Sequence, residues 1–470
     1  RKFKMSEAKT YIAGLIQNAR AAQKEFEERF TTQRAVDEVV RAIALTIYNA
    51  KEELAPEVVE ETGMGTVAYK ITKMIATTTG QWNTMRGKAS MGFIENPYDE
   101  PGVRVIAKPI GVVGSICPTT NPIITVVMNS MAAIKCRNAI IVAPHPKAKF
   151  VSQKAVNMIR AAFAKLGAPE DLIQIVAPDH CTIETTDELL AACDVNVATG
   201  GPGMVKSVYS CGKPGFGVGQ GNTQEIICDD WTDLETTCAA AVANRAWDLG
   251  VPCTGDQMIH ISAKREADFL AAVEKGGAYI IDDPEVRAKL SAYVFPDGKN
   301  INRDVVGKTP QVVGKAIGIE VPEDRQVLLT KVVGQAQDDV LCKECLFPLM
   351  RYRTYETFEE AVDAACANLY MEGAGHNSSI WTNDEANIEY ASMRMPVSRL
   401  QVNQVPLGKN DGMPPTTTLG CGYWSGNSIS ENFEWYHLYQ TTRVSTELPN
   451  KRLFKPEDWD DFGICPVVED

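Results

Sequence analysis

Three observations predict an α/β fold built on a doubly wound parallel sheet. Short apolar runs alternate with helical segments between residues 110 and 199, the same alternation resumes near Glu225 and continues to about Gln404, and the first 90 residues carry apolar side chains at helical spacing. Runs that are apolar throughout suit strands buried on both faces, which is what helices packed on each side of a parallel sheet produce. At 470 residues the chain exceeds what one hydrophobic core supports, so two or more domains are expected.

The elements follow in order. Ile12, Leu15, Ile16 and Ala19, then Val36, Val39, Val40, Ile43 and Leu45, mark a helical lead-in from Ser6 to about Ser90. Met91 to Ile94 and Val103 to Ile106 flank a Pro/Gly turn from Asn96 to Gly102, which predicts a hairpin. Ile110 to Ile116, Asn138 to Val142, Leu172 to Val176 and Val195 to Thr199 read as buried strands, with a helix over Ser152 to Leu166. Further strands fall at Met258 to Ile261, Ala278 to Ile281 and Val327 to Leu329. In such a sheet the ligand crevice lies beyond the carboxyl ends of the strands, where Asn121, the Pro144 loop and the Gly200 loop emerge.

Composition narrows the function. A formal net charge of −13 argues against a nucleic-acid partner, which calls for a basic stripe. Apolar stretches stay below the ~18 residues of a membrane span, and the N-terminal region lacks a signal-peptide core, so a cytoplasmic protein with no membrane contact is expected. Thirteen cysteines, an odd number spread along the chain, fit reduced thiols. The Cys342-Lys343-Glu344-Cys345 pair lacks a second half, so no metal is predicted.

Cys253 carries the chemistry. It follows the run Trp247-Asp248-Leu249-Gly250-Val251-Pro252 and precedes Thr254-Gly255. A nucleophilic thiolate needs an apolar approach, a tight turn to expose sulfur, and N–H donors for the oxyanion formed when it attacks a carbonyl. The upstream turn Cys117-Pro118-Thr119-Thr120-Asn121-Pro122 supplies such a donor in the Asn121 amide. The run Thr199-Gly200-Gly201-Pro202-Gly203 follows a strand and opens a helix, either to admit a pyrophosphate to a helix N-terminus or simply to make a tight turn.

Together these segments resemble the aldehyde dehydrogenase superfamily, and others resemble its coenzyme A-acylating branch. Phe216-Gly217-Val218-Gly219-Gln220-Gly221-Asn222 occupies the place where hydrolytic members read Glu-Leu-Gly-Gly-Lys, so that Gly217 stands where their water-activating Glu would be. Ala143-Pro144-His145-Pro146-Lys147 replaces the segment whose lysine holds the adenosine ribose, leaving His145 or Lys147 to meet the ribose or a 2′-phosphate. Glu344 matches the carboxylate that holds the nicotinamide ribose. His376 lies in Glu372-Gly373-Ala374-Gly375-His376, similar to a run of acylating members. The tail Thr416-Thr417-Thr418-Leu419-Gly420-Cys421-Gly422-Tyr423-Trp424 resembles the succinate-semialdehyde and sulfoacetaldehyde types.

The resemblance implies a Rossmann-like cofactor domain (residues 1–90 and 111–223), an oligomerisation hairpin (91–110), a catalytic domain (224–415) and a C-terminal segment (416–470) returning to the active site. It implies Cys253 and Asn121 as catalytic residues. Thr119, Pro144, His145, Lys147, Thr199, Gly200, Gly201, Gly203, Gly219 and Glu344 are implied for the cofactor, NADP or NAD. Arg245, His376, Thr417 and Thr418 are implied for a short anionic aldehyde, with coenzyme A taking the acyl group. A homodimer or homotetramer is expected. The alternatives are a hydrolytic enzyme releasing a free acid, in which Glu225 replaces the missing base, and a non-catalytic nucleotide-binding relative.

Overall fold

The computed structural model describes residues 6–97, 101–407, 413–414, 416 and 418–448. Helices α1 (Glu7–Arg29), α2 (Gln33–Thr62) and α3 (Val67–Met85) form the lead-in. Thr32 and Thr66 cap α2 and α3 by accepting the N–H groups of Ala35 and Tyr69, and Gly63 ends α2 at a φ of 68° that favours glycine. The predicted stripe on α2 is observed, except that Leu45 faces outward and Ile47 takes the core position.

Strands β1 (Gly92–Ile94) and β2 (Val103–Pro109) pair antiparallel, with Gly92 opposite Ala107. Then come β3 (Val112–Ile116), α4 (Pro122–Lys135), β4 (Ala139–Ala143), α5 (Lys149–Leu166), β5 (Ile173–Ile175), α6 (Ile183–Ala192), β6 (Val195–Thr199), α7 (Pro202–Ser210) and β7 (Gly215–Val218). These strands make a parallel five-stranded sheet in the order β5-β4-β3-β6-β7. Every residue of β3 and β4 is buried, as the unbroken apolar runs require. The α5 helix starts three residues earlier than the periodicity indicates, after a short turn opened by Pro146.

The second unit holds β8 (Gln224–Ile227), α8 (Leu234–Ala246), β9 (Met258–Ser262), α9 (Glu266–Lys275), β10 (Ala278–Ile281), α10 (Pro284–Val294), α11 (Pro310–Ile317) and β11 (Val327–Lys331). It continues with β12 (Leu349–Tyr355), α12 (Phe358–Met371), β13 (Asn377–Trp381), α13 (Glu385–Arg394) and β14 (Arg399–Val402). Its parallel seven-stranded sheet runs β10-β11-β12-β9-β8-β13-β14. The last strand among the described residues, β15 (Tyr439–Ser445), returns to pair with β2, Tyr439 opposite Pro109 and Ser445 opposite Val103. The tip of the predicted Pro/Gly turn, residues 98–100, lies outside the described residues.

Candidate active site

Cys253 sits where the two parallel sheets meet, on a turn that the backbone reaches by strain. After α8 the chain enters the left-handed region at Asp248 (φ 49°, ψ 37°) and Leu249 (φ 55°, ψ 38°). Few residues other than glycine adopt that region, and a bulky leucine there must be held by its surroundings. Asp248 supplies the hold: its carboxylate accepts from the Thr66 N–H at 3.1 Å and from Lys70 Nζ at 2.8 Å, and also contacts Lys73. Gly221 packs directly on the turn, since a Cβ there would stand 2.1 Å from the Cys253 carbonyl oxygen. That contact requires glycine.

Two cavities share Cys253. The larger, about 810 Å³, lies beyond the carboxyl ends of β3 to β7. Thr119, Pro144, His145, Thr199, Gly200, Gly201, Gly203, Gly219 and Glu344 all line it, so the expected cofactor residues come together with one exception. Lys147 is exposed and off the cavity; its backbone N–H donates to His145 Nδ1 at 3.1 Å. That bond fixes the neutral ring with its proton on Nε2, and burial, reinforced by Lys147 and Arg303, holds the His145 pKa down. Gly201 caps α7 without a side-chain bond, and Cβ positions at Gly201 and Gly203 meet open space. The residues therefore fit a dinucleotide: free N–H groups at a helix N-terminus, uncovered by side chains, for a pyrophosphate.

The smaller cavity, about 180 Å³, is walled by side chains that include Lys73, Gln81, Asn121, Arg399, Gln401 and Thr416. Arg245 is not among them, correcting its expected place on the substrate. It is fully buried behind the nucleophile turn, donating through Nε to Leu349 O at 3.1 Å and through Nη2 to Phe347 O at 2.6 Å and Cys345 O. Burial, with Arg351 alongside, pushes its pKa down to about 9. A cation tied to three carbonyls braces the backbone. Arg399 instead faces the cavity, with Nη2 donating to Pro414 O at 2.6 Å and no ion pair among the described residues. Thr418 is buried away from this cavity while Thr416 faces it, and Thr417 lies outside the described residues.

His376, expected on the substrate, lies against Cys253 and does not line the smaller cavity. Its Nε2 is 3.1 Å from Cys253 Sγ. Its Nδ1 meets Asn377 Oδ1, an acceptor, which puts the proton on Nδ1 and leaves the Nε2 lone pair toward sulfur. Burial pushes the His376 pKa down to about 4. Burial and the nearby Glu344 push the Cys253 thiol up to about 12, against the pull of Lys73 and the Cys253 and Thr254 N–H groups. Imidazole and thiol therefore rest as a neutral pair at pH 7, with the Nε2 lone pair in reach of the thiol proton.

Gly217, which the resemblance sets at the place of the hydrolytic base, and Gly219 differ in what they face. Gly217 lies off the cavity, its N–H donating to Tyr209 Oη at 3.2 Å and to Asn427 Oδ1 at 3.2 Å, and a Cβ there would stand 2.9 Å from Tyr209 Oη. Gly219 lines the cavity that Cys253 faces and has open space at its Cβ position. Glu225 is buried away from both cavities, accepting from Trp381 Nε1 and lying beside Asp256. Glu344 faces the larger cavity with Oε1 accepting from the Gly221 N–H at 3.0 Å; burial and Glu372 raise its pKa to about 8.

Sequence reasoning passed over Lys73 and Arg399. Lys70 and Lys73 lie on the buried stripe of α3 with Met74, Thr78 and Gln81, and lysines at core spacing were the available signal. Arg399 opens β14 with no local signature.

The fold and site define the class: the chain belongs to the aldehyde dehydrogenase family, whose family model matches residues 3–417. It is an oxidoreductase acting on aldehydes, of the acylating kind. It is 42% identical over 439 residues to a succinate-semialdehyde dehydrogenase (acetylating) of Clostridium kluyveri, covering 92% of this chain and 95% of that one. It is 34% identical to a sulfoacetaldehyde dehydrogenase of an Acholeplasma species, covering 96% and 93%. Among solved structures, an acetylating aldehyde dehydrogenase from Geobacillus thermoglucosidasius superposes with a TM-score of 0.88 at 31% identity, covering 95% of this chain and 98% of that one.

Proposed function

We propose that the protein interconverts a short anionic aldehyde and its coenzyme A thioester through a thioester on Cys253. The observation that carries this reading is Cys253 Sγ at the junction of two cavities, 3.1 Å from a neutral His376 and facing a wall that is bare at Gly219. In the aldehyde-oxidising direction, sulfur attacks the carbonyl carbon while its proton passes to His376 Nε2. The Asn121 amide and the Cys253 N–H hold the oxyanion of the thiohemiacetal. When bound, NADP or NAD supplies the hydride acceptor and coenzyme A the thiol that takes the acyl group. Without a base at Gly219 to activate water, the Cys253 thioester persists until that thiol arrives. His145, Thr199, Gly200 and the α7 N-terminus hold the nucleotide, and Glu344 meets a ribose. One thioester replaces another, so the reaction runs both ways.

The choice of substrate rests on charge and size. Arg399, with no ion pair among the described residues, gives a cavity of about 180 Å³ a cationic side chain for a carboxylate or sulfonate at the far end of a two- to four-carbon chain. Succinate semialdehyde and sulfoacetaldehyde, named in two relatives, fit that description. On this reading residues 1–90 and 111–223 serve the cofactor and 224–415 the catalysis. The sheet of β1, β2 and β15 is where subunits of a homodimer or homotetramer would pair, since β1 leaves an edge and Phe93 is 51% exposed. A spectrophotometric screen of succinate semialdehyde, sulfoacetaldehyde, acetaldehyde and propionaldehyde, with each nicotinamide cofactor and with and without coenzyme A, tests the reading. A preference for propionaldehyde, or equal turnover without coenzyme A, overturns it.

A further inference from the structure

Asn121 holds the N-cap position of α4 but does not cap it. An asparagine there ordinarily turns its side-chain oxygen back to an N–H of the first turn. Here Pro122 opens the helix and the Asn121 side chain makes no cap bond. Its Oδ1 instead accepts from Lys73 Nζ at 2.9 Å.

Lys73 is itself unusual. It lies on the buried face of α3, 7% exposed, and shares Asp248 with Lys70. The Trp247 ring lies 5.1 Å from its nitrogen. Two ammonium groups around one carboxylate leave a net positive charge beside the nucleophile, a costly arrangement in a region that excludes water. Asp248 and Lys70 are already joined to each other, so holding the turn does not by itself call for Lys73. An ammonium only donates. The amide must therefore present Oδ1 to it, which directs Nδ2 to the other side of the amide, where Asn121 faces the smaller cavity.

We propose that Lys73 is a positioning residue: its ammonium diverts the Asn121 amide from capping α4 and locks it with Nδ2 toward the oxygen that becomes the oxyanion on Cys253. This rests on the roles of Cys253 and Asn121 proposed above. Free of Lys73, the Asn121 Oδ1 returns to the N–H groups of the first turn of α4, and Nδ2 leaves the position that faces the oxyanion. The same charge favours thiolate at Cys253, a second and smaller contribution.

The test is a double-mutant cycle read in single turnovers of aldehyde-dependent cofactor reduction. Wild type, Lys73→Met, Asn121→Ala and the double variant are compared, with Cys253 alkylation by iodoacetamide as a check on the turn. Lys73→Met should slow the turnover by roughly 10- to 100-fold with the aldehyde KM changed less than about threefold. Once any fall in the alkylation rate is divided out, the double variant should be no slower than Asn121→Ala, because the rest of the lysine's effect acts through the amide. Alkylation rates should stay within about tenfold across the set, a charge effect of about one pKa unit. Multiplicative losses, or a Lys73→Met variant as fast as wild type, overturn the proposal. If Lys73→Met does not fold, Lys73→Gln enters the same cycle; its side-chain N–H still donates to Oδ1, so it should keep the rate within about fivefold, and a loss as large as that of Asn121→Ala overturns the proposal. A wild type that reduces no cofactor with any aldehyde refutes the functional reading itself, whereas an active wild type with a multiplicative cycle refutes only the role of Lys73.

Discussion

The two cavities that meet at Cys253 are built on opposite plans. The larger is walled by backbone turns at strand ends, where glycine and proline leave N–H groups uncovered. The smaller is walled by side chains drawn from α3, α4, the nucleophile turn, β14 and the tail. Backbone recognition suits a ligand shared by many enzymes, because phosphate needs N–H groups and room. Side-chain recognition suits the ligand that distinguishes one enzyme from another. Cys253 belongs to both walls, so mutations on the two sides should separate chemistry from choice of substrate.

The largest effect is expected at the junction. Cys253→Ala should abolish turnover, a loss on the order of 10⁴-fold or more, while nucleotide binding measured by fluorescence titration stays close to wild type. If Cys117→Ala is dead and Cys253→Ala is active, the nucleophile is misassigned; Cys117 is buried and its pKa is raised to about 12 with no histidine beside it.

His376→Ala should cost roughly 10²- to 10⁴-fold in acylation. Its pH profile is the sharper readout. With the His376 pKa at about 4 and that of Cys253 at about 12, neither group titrates between pH 5 and 7, so wild-type acylation should be flat there. In the variant, sulfur must ionise to solvent, and the thiolate fraction below a raised pKa grows about tenfold per pH unit. A flat profile in both proteins would count against His376 as the proton acceptor.

Asn121→Ala should slow acylation by about a hundredfold or more with cofactor affinity unchanged, the usual loss of one preorganised oxyanion donor. An unaltered rate would reduce Asn121 to a turn residue.

On the side-chain wall alone, Arg399→Met should raise KM for succinate semialdehyde or sulfoacetaldehyde by about 10-fold or more, and for propionaldehyde far less. Equal effects on charged and neutral aldehydes would sink the anionic-substrate reading. Arg245→Met serves as the control: buried among carbonyls, it should lower thermal stability rather than select between substrates.

The smallest change is sought on the glycine wall. Gly219→Glu should release a measurable trickle of free acid by chromatography in the absence of coenzyme A, because the Cβ position there is open. Gly217→Glu should only destabilise, as its Cβ would collide with Tyr209 and Val205.

The contrast in plan also explains what could be read in the sequence. Every strand expected between residues 110 and 199 is present within two residues of its expected ends, because buried parallel strands are written as continuous apolar runs. The nucleotide-side turns were legible for the same reason: Gly200-Gly201-Pro202 and Pro144-His145-Pro146 are local. The aldehyde side was not. Arg245 is a charged residue near the nucleophile in sequence, yet the end of α8 turns it inward to three carbonyls. Arg399 arrives from far along the chain because β14 pairs with β13, a neighbour that local spacing does not reveal. Gly217 and Gly219 lie on one short run, and which of them faces the cavity is set by how that run packs on Tyr209, which local spacing does not reveal.

Gly420 packs beside the His376 ring, where a Cβ would stand 3.2 Å from Cδ2, Leu419 walls the smaller cavity, and β15 closes against β2. These segments come well after Cys253 in the chain, so the pocket around the sulfur is complete only once they have been made. A growing chain therefore carries an incomplete catalyst, and a prematurely terminated one should carry none. The Cys253 sulfur thus gains its surroundings only after the segment that carries it, so a chain stopped between the two would hold the thiol without the pocket.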